Sequence, residues 1–140
     1  SKQINDEIKF GLNRYSTYRM FGENVKKSKI NLINIFKNLK NNNHKIIGYG
    51  ATAKATTVLN YCNIGDDMID YFVDTTPDKI NRFMPGTKIK IKKYNQKLLD
   101  NVNYIYLGAW NFKDEIFKKE KKFIKSGGKF ITHVPFPKII

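Results

Sequence analysis

Five short apolar runs recur along the chain, separated by segments of helical period or by polar loops. They are Lys45-Ile46-Ile47-Gly48-Tyr49, Met68-Ile69-Asp70-Tyr71-Phe72-Val73, Thr87-Lys88-Ile89-Lys90-Ile91, Tyr104-Ile105-Tyr106-Leu107 and Lys129-Phe130-Ile131-Thr132. Runs this short suit strands rather than helices. Strands alternating with helices imply a parallel sheet wrapped on both faces, because each crossover carries a helix back over the sheet. The expected fold class is therefore α/β, with a doubly wound, mostly parallel five-stranded sheet in the order 3-2-1-4-5. Pro135 and Pro137 prevent the fifth strand from running on.

The helical segments have their own signals. Over residues 24–42, Leu32, Ile33, Ile35, Phe36 and Leu39 form an apolar stripe, with Ile30 beside it and lysines on the other face. Asn41-Asn42-Asn43 ends that helix, since asparagine tolerates the left-handed cap. Ala51 to Tyr61 is helical, and Asn95 to Leu99 suits a single turn. Residues 111–126 form the best-marked helix: Asn111 as N-cap, Asp114 and Glu115 in the first turns, and Phe112, Ile116, Phe117, Phe123 and Ile124 as the buried stripe. Gly127-Gly128 stops it. Residues 1–22 carry Ile4, Ile8, Phe10, Leu12, Tyr15, Tyr18 and Phe21 without clear period. They read as a short helix or extended arm that packs against something else, ahead of a domain over 23–140.

Size and composition narrow the classes. A chain of 140 residues is one ordinary domain, and a hydrophobic content of 41% excludes overall disorder. Cys62 is the single cysteine, which excludes a disulfide scaffold. No run approaches a membrane span and the N-terminus has no signal-peptide core, so a cytoplasmic setting away from membranes is expected. The formal net charge of +14 favours anionic partners: nucleic acid, acidic membrane or phosphorylated small molecules. The excess is lysine, with three arginines only (Arg14, Arg19, Arg82), whereas nucleic-acid readers lean on arginine.

The most informative passage is Gly48-Tyr49-Gly50-Ala51-Thr52-Ala53-Lys54. Two glycines let the backbone turn tightly, the next helix offers unpaired N–H groups and a positive dipole end, and Lys54 adds a full charge. That suits a phosphate, although the pattern is neither the dinucleotide fingerprint nor a Walker A loop. Asp74, 26 residues after Gly48, serves as a ribose-binding acid or as a turn cap within Asp74-Thr75-Thr76-Pro77. In the expected strand order the loop after strand one faces the loop Gly108-Ala109-Trp110-Asn111 across one crevice. Trp110 would stack on a ring or wall the pocket. Asn111 would donate to a phosphate or cap its helix. Lys79 and Arg82 lie in a loop that either folds over the crevice or is an ordinary charged surface. No catalytic constellation stands out, and His44, His133 and Cys62 do not make a metal site. The lysines at 118, 119, 121, 122 and 125 read as the wet face of the last helix.

Taken in order, Gly48 to Lys54, Leu59-Asn60-Tyr61-Cys62, Asp74 with Pro77, Lys79, Arg82 and Pro85-Gly86-Thr87, Trp110 to Ile116 and Gly127-Gly128-Lys129-Phe130 closely resemble the C-terminal domain of bacterial SAM-dependent sugar C-methyltransferases. The resemblance covers about residues 23–140, with 1–22 similar to the segment joining that domain to the methyltransferase core. It implies a Rossmann-like domain that supplies part of a site for a nucleoside diphosphate-sugar. Gly48, Gly50, Ala51 and Lys54 would approach the pyrophosphate, with Lys79, Arg82, Trp110 and Asn111 as secondary candidates. Thr52, Ala55 and Thr56 depart from the family's commoner Pro, Gly and Asn. The resemblance also implies that SAM is bound by a central domain whose motifs these residues lack, that this domain binds no cofactor itself, and that it works with a core domain in cis or in trans. A dinucleotide- or CoA-binding regulatory module is the alternative from the same loop. A nucleic-acid-binding protein rests on charge alone.

Overall fold

A computed structural model describes all 140 residues. The sheet has the order β3-β2-β1-β4-β5-β6. Its strands are β1 (Ile46–Tyr49), β2 (Phe72–Asp74), β3 (Ile91–Lys93), β4 (Tyr104–Leu107), β5 (Lys129–Thr132) and β6 (Lys138–Ile139). The first five are parallel in the expected order, and β6 adds an antiparallel edge against β5. The expectation of five strands is corrected to six. The prolines do end β5, but the chain then turns back and pairs Ile139 with Ile131.

Alternation along β1 and β4 sorts side chains to two faces. Ile46 and Tyr106 point to one cluster, with Leu32, Phe36 and Leu39 of α2 (Tyr15–Asn41) and Ala55, Leu59 and Cys62 of α3 (Ala53–Cys62). The i, i+4, i+7 spacing of each set is the inward stripe of its helix. Ile47, Tyr49, Ile105 and Leu107 point to the other cluster, with Ile116 of α4 (Lys113–Lys119) and Phe123 of α5 (Lys121–Lys125). Gly48 belongs to this packing: a Cβ there would lie 2.3 Å from the Phe72 ring, which rests across β1.

Several boundaries differ from expectation. The long helix begins at Tyr15, so it runs unbroken through residue 22, preceded by α1 (Lys2–Lys9). Gly11, at φ +73°, makes the elbow between them, and the Thr17 hydroxyl fixes it by donating to the Gly11 carbonyl at 2.7 Å. The alternating run at 87–91 is mostly a tight bend. Pro85-Gly86 folds Phe83 back against Lys90, so the parallel strand starts only at Ile91. The last helix is interrupted at Glu120. Asn111 lies within the 3-10 turn Trp110–Phe112 and does not cap it. Phe112 and Ile124, expected on the buried stripe, are exposed. No helix is long and apolar enough to cross a membrane.

Candidate functional site

The C-terminal ends of β1, β2 and β4 converge on one side of the sheet, where a doubly wound fold leaves its crevice. The loops after β1 and β4 do face each other there, but they touch. A Cβ on Gly50 would come within 2.4 Å of the Ala109 Cβ, and one on Gly108 within 2.3 Å of the Gly50 carbonyl. Only glycine allows this approach, and Gly50, at φ +83°, also needs its conformational freedom. The Thr52 hydroxyl ties the loops together by donating to the Gly108 carbonyl at 2.9 Å. Open space therefore lies on either side of the contact, not between the loops.

On one side is a crevice of about 380 Å³, walled by Tyr49, Gly50, Val73 and Asp74, then Thr75, Thr76, Lys79 and Tyr94, and roofed by Phe112, Glu115 and Lys119. On the other is a hollow of about 230 Å³, lined by Thr52, Ala53, Lys54, Asn111 and again Phe112. This second hollow opens on the start of α3. Thr52 is the N-cap, its side chain accepting from the Ala55 N–H at 3.1 Å. The amides of Gly50, Ala51 and Thr52 are already bonded, to the Val73 carbonyl, the Asp74 carboxylate and the Gly50 carbonyl. Ala53 and Lys54 are left as the unbonded N–H donors of the turn. The Lys54 ammonium lies 3.3 Å from the Asn111 amide oxygen and 5.0 Å from the centre of the Trp110 ring.

Asp74 is the organiser of the glycine turn. One carboxylate oxygen accepts from the Ala51 N–H at 2.7 Å and the other from the Thr76 N–H at 2.8 Å. Lys79 stands 3.6 Å away. Burial works to raise the Asp74 pKa, but the Thr76 and Ala51 bonds and the Lys79 charge outweigh it and hold the carboxyl below its ordinary value. Of the two roles open to this residue, the geometry is that of the cap.

The remaining sequence candidates separate. Tyr49, Gly50, Asp74 and Lys79 line the crevice, and Lys54 and Asn111 line the hollow. Ala51 is buried with its N–H engaged, and Gly48 serves Phe72 packing. Trp110 packs half-buried beside the second core cluster. The Arg82 backbone belongs to the bend at Pro85, its carbonyl accepting from the Ile91 N–H at 2.7 Å, while the residue is exposed and lines neither the crevice nor the hollow. His133 lines neither space; it stacks on Tyr106, whose hydroxyl lies 3.0 Å from His133 Nδ1, and burial lowers the His133 pKa.

The sequence reading missed a buried network behind the crevice. Glu120 is wholly buried, and the Tyr49 and Tyr94 hydroxyls both donate to its Oε1, at 2.9 and 2.8 Å. Its other oxygen has no partner. Burial first, then Glu120, drives the Tyr49 phenol far up and pushes Tyr94 up to about 12. Lys119, expected on the wet face, stands 3.6 Å over the Tyr94 ring. The signal for Glu120 was its place on the helix, four residues after Ile116 and three before Phe123, on the apolar stripe.

Comparison with known proteins adds two findings. A family described as the C-methyltransferase C-terminal domain matches residues 1–135. The C-methyltransferase NovU of Streptomyces niveus is 29% identical over 140 residues, which is all of this chain but 33% of that protein. The chain thus spans about a third of the curated relative it matches. With a match over nearly its whole length, the chain belongs to the family of C-methyltransferase C-terminal domains.

Proposed function

We propose that this domain forms the nucleotide-sugar side of the active site of a SAM-dependent C-methyltransferase. It holds the diphosphate of a nucleoside diphosphate-sugar while a separate core domain, in the same chain or another, carries SAM and the transfer chemistry. The observation that carries this reading is the hollow at the start of α3. Two unbonded amides, a helix dipole and the Lys54 ammonium converge there, with Asn111 opposite. A diphosphate satisfies all of them at once.

The resemblance puts SAM on the core domain rather than on this one. Asp74, at the end of the second strand, shapes the glycine turn through Ala51 and Thr76 and keeps acceptor capacity toward the crevice. The donor of the methyl group when bound is SAM. The part of this chain is to bind and orient the acceptor through Ala53, Lys54 and Asn111, and to exclude water by closing the crevice against the core.

Titration calorimetry of the chain with thymidine and uridine diphosphate-sugars, with NAD and CoA as controls, tests the reading. Weak binding of the nucleotide-sugars is expected, because the domain supplies half of the pocket. Lys54→Ala is expected to weaken it several-fold, the scale of one charge-assisted contact. Absence of heat with every nucleotide-sugar at millimolar concentration would sink the proposal.

A further inference from the structure

The crevice and the hollow meet at one side chain. Phe112 lines both, and the residue is 56% exposed. Exposure of one phenylalanine means little by itself. Its position means more, because the crevice that it lines brings two further rings together beside its polar groups. Tyr49 and Tyr94 stand at 5.6 Å between ring centres, in an edge-to-face arrangement. Both hydroxyls are drawn inward onto buried Glu120, so what these tyrosines leave toward the crevice is carbon. The Lys119 ammonium covers the Tyr94 ring at the rim. A diphosphate asks for donors and charge, which the α3 hollow has. The crevice has charge as well, in Lys79 and Lys119, but also the paired rings, which a diphosphate does not use. A nucleobase does, since every base has a face to stack. A crevice of about 380 Å³ lies within the range of small-ligand sites.

We propose that Phe112 is the stacking platform for the planar base of a nucleoside diphosphate. The base enters the Tyr49–Tyr94 crevice while the diphosphate sits at Ala53 and Lys54. This rests on the reading that the ligand is a nucleoside diphosphate-sugar, and it fixes which end of that ligand lies where. Phe112 divides the ligand into its base and its phosphates.

The test compares UDP, TDP, ADP and inorganic pyrophosphate by calorimetry on the wild-type chain, Phe112→Ala, Phe112→Leu and Phe112→Trp. Phe112→Ala is expected to weaken UDP and TDP about tenfold, the scale of one base–ring stack, and to leave pyrophosphate unchanged. Phe112→Trp is expected to restore nucleotide binding. Phe112→Leu keeps apolar volume without a π face, so it reports the same loss even where the alanine variant folds poorly. ADP separates a general base platform from one shaped for pyrimidines; equal losses for all bases fit the former and a pyrimidine-only loss the latter, and both support stacking. An equal loss for pyrophosphate and nucleotides, or no loss for nucleotides, would overturn the inference alone. Failure of the wild-type chain to bind any nucleotide or nucleotide-sugar would overturn the underlying reading with it.

Discussion

Replacing Asp74 by asparagine removes one charge and little volume, and its cost follows from the bonds the carboxylate makes. One buried and one partly exposed backbone donor end on it, Ala51 at 2.7 Å and Thr76 at 2.8 Å. An asparagine has one oxygen and one NH2, so one of the donors faces another donor. With the asparagine oxygen on the buried Ala51 N–H, the Thr76 N–H turns to water, and the loss of charge-assisted bonding costs about 1.5–3 kcal/mol. The Lys79 pair adds little, because its ammonium is 39% exposed and such pairs are worth under about 1 kcal/mol. The backbone bonds therefore decide the outcome, and Lys79→Met is expected to be nearly neutral for stability. At roughly 4 °C per kcal/mol for a domain of this size, Asp74→Asn lowers the melting temperature by about 6–12 °C at pH 7. The pH dependence has a fixed sign. The folded pKa lies below the unfolded one, so the contribution is complete above about pH 5 and fades as the pH falls through the folded value. Urea unfolding of both proteins between pH 7 and pH 3 should show the gap shrinking with acid. A gap under about 0.5 kcal/mol at pH 7, or one that widens on acidification, would refute the argument.

Gly50→Ala places a methyl against Ala109 in a left-handed backbone, and a loss of roughly 2–4 kcal/mol is expected from the two effects together. Pairing it with Ala109→Gly should recover the steric part and not the conformational part, which urea curves of the three variants resolve. Burial holds most of the rise of the Tyr94 phenol to about 12, and Glu120→Gln should remove the carboxylate's share of it, visible as somewhat earlier ionisation at 295 nm. Because that phenol is held neutral in the fold, its contribution is full below about pH 10 and is lost as the pH climbs through 12. A Glu120→Gln titration that superposes on wild type would mean that the carboxylate does not set the tyrosines.

The parallel order of the first five strands was legible because β1, β2, β4 and β5 fall in compact apolar runs and β3 begins at the end of another, Ile91. What the runs do not encode is where pairing starts. Thr87–Ile91 alternates perfectly, yet it pairs within its own bend because Pro85-Gly86 reverses the chain first. The glycine turn was legible as a place of close approach, but not what approaches it: Ala109 closes on Gly50, and Asp74 takes the Ala51 amide. Those are contacts across 59 and 23 residues of chain, and local pattern carries no such information. The Tyr49–Glu120 bond spans 71 residues and was invisible for the same reason. Lys119 looked like solvent-facing charge because the lysines around it are; only the ring of Tyr94 beneath it sets it apart.

The two borders of the sheet have a consequence for assembly. At one, β6 covers β5 with a two-residue antiparallel ribbon, and the mutual bonds of Phe130 and Ile140 extend that cover. At the other, β3 is only three residues long, carries Lys92 and Lys93, and follows a bend already paired on itself. Short, lysine-bearing or self-paired margins resist the addition of foreign strands. Association of this domain with another copy or with a core is therefore expected to use side chains on helices and loops rather than added strands.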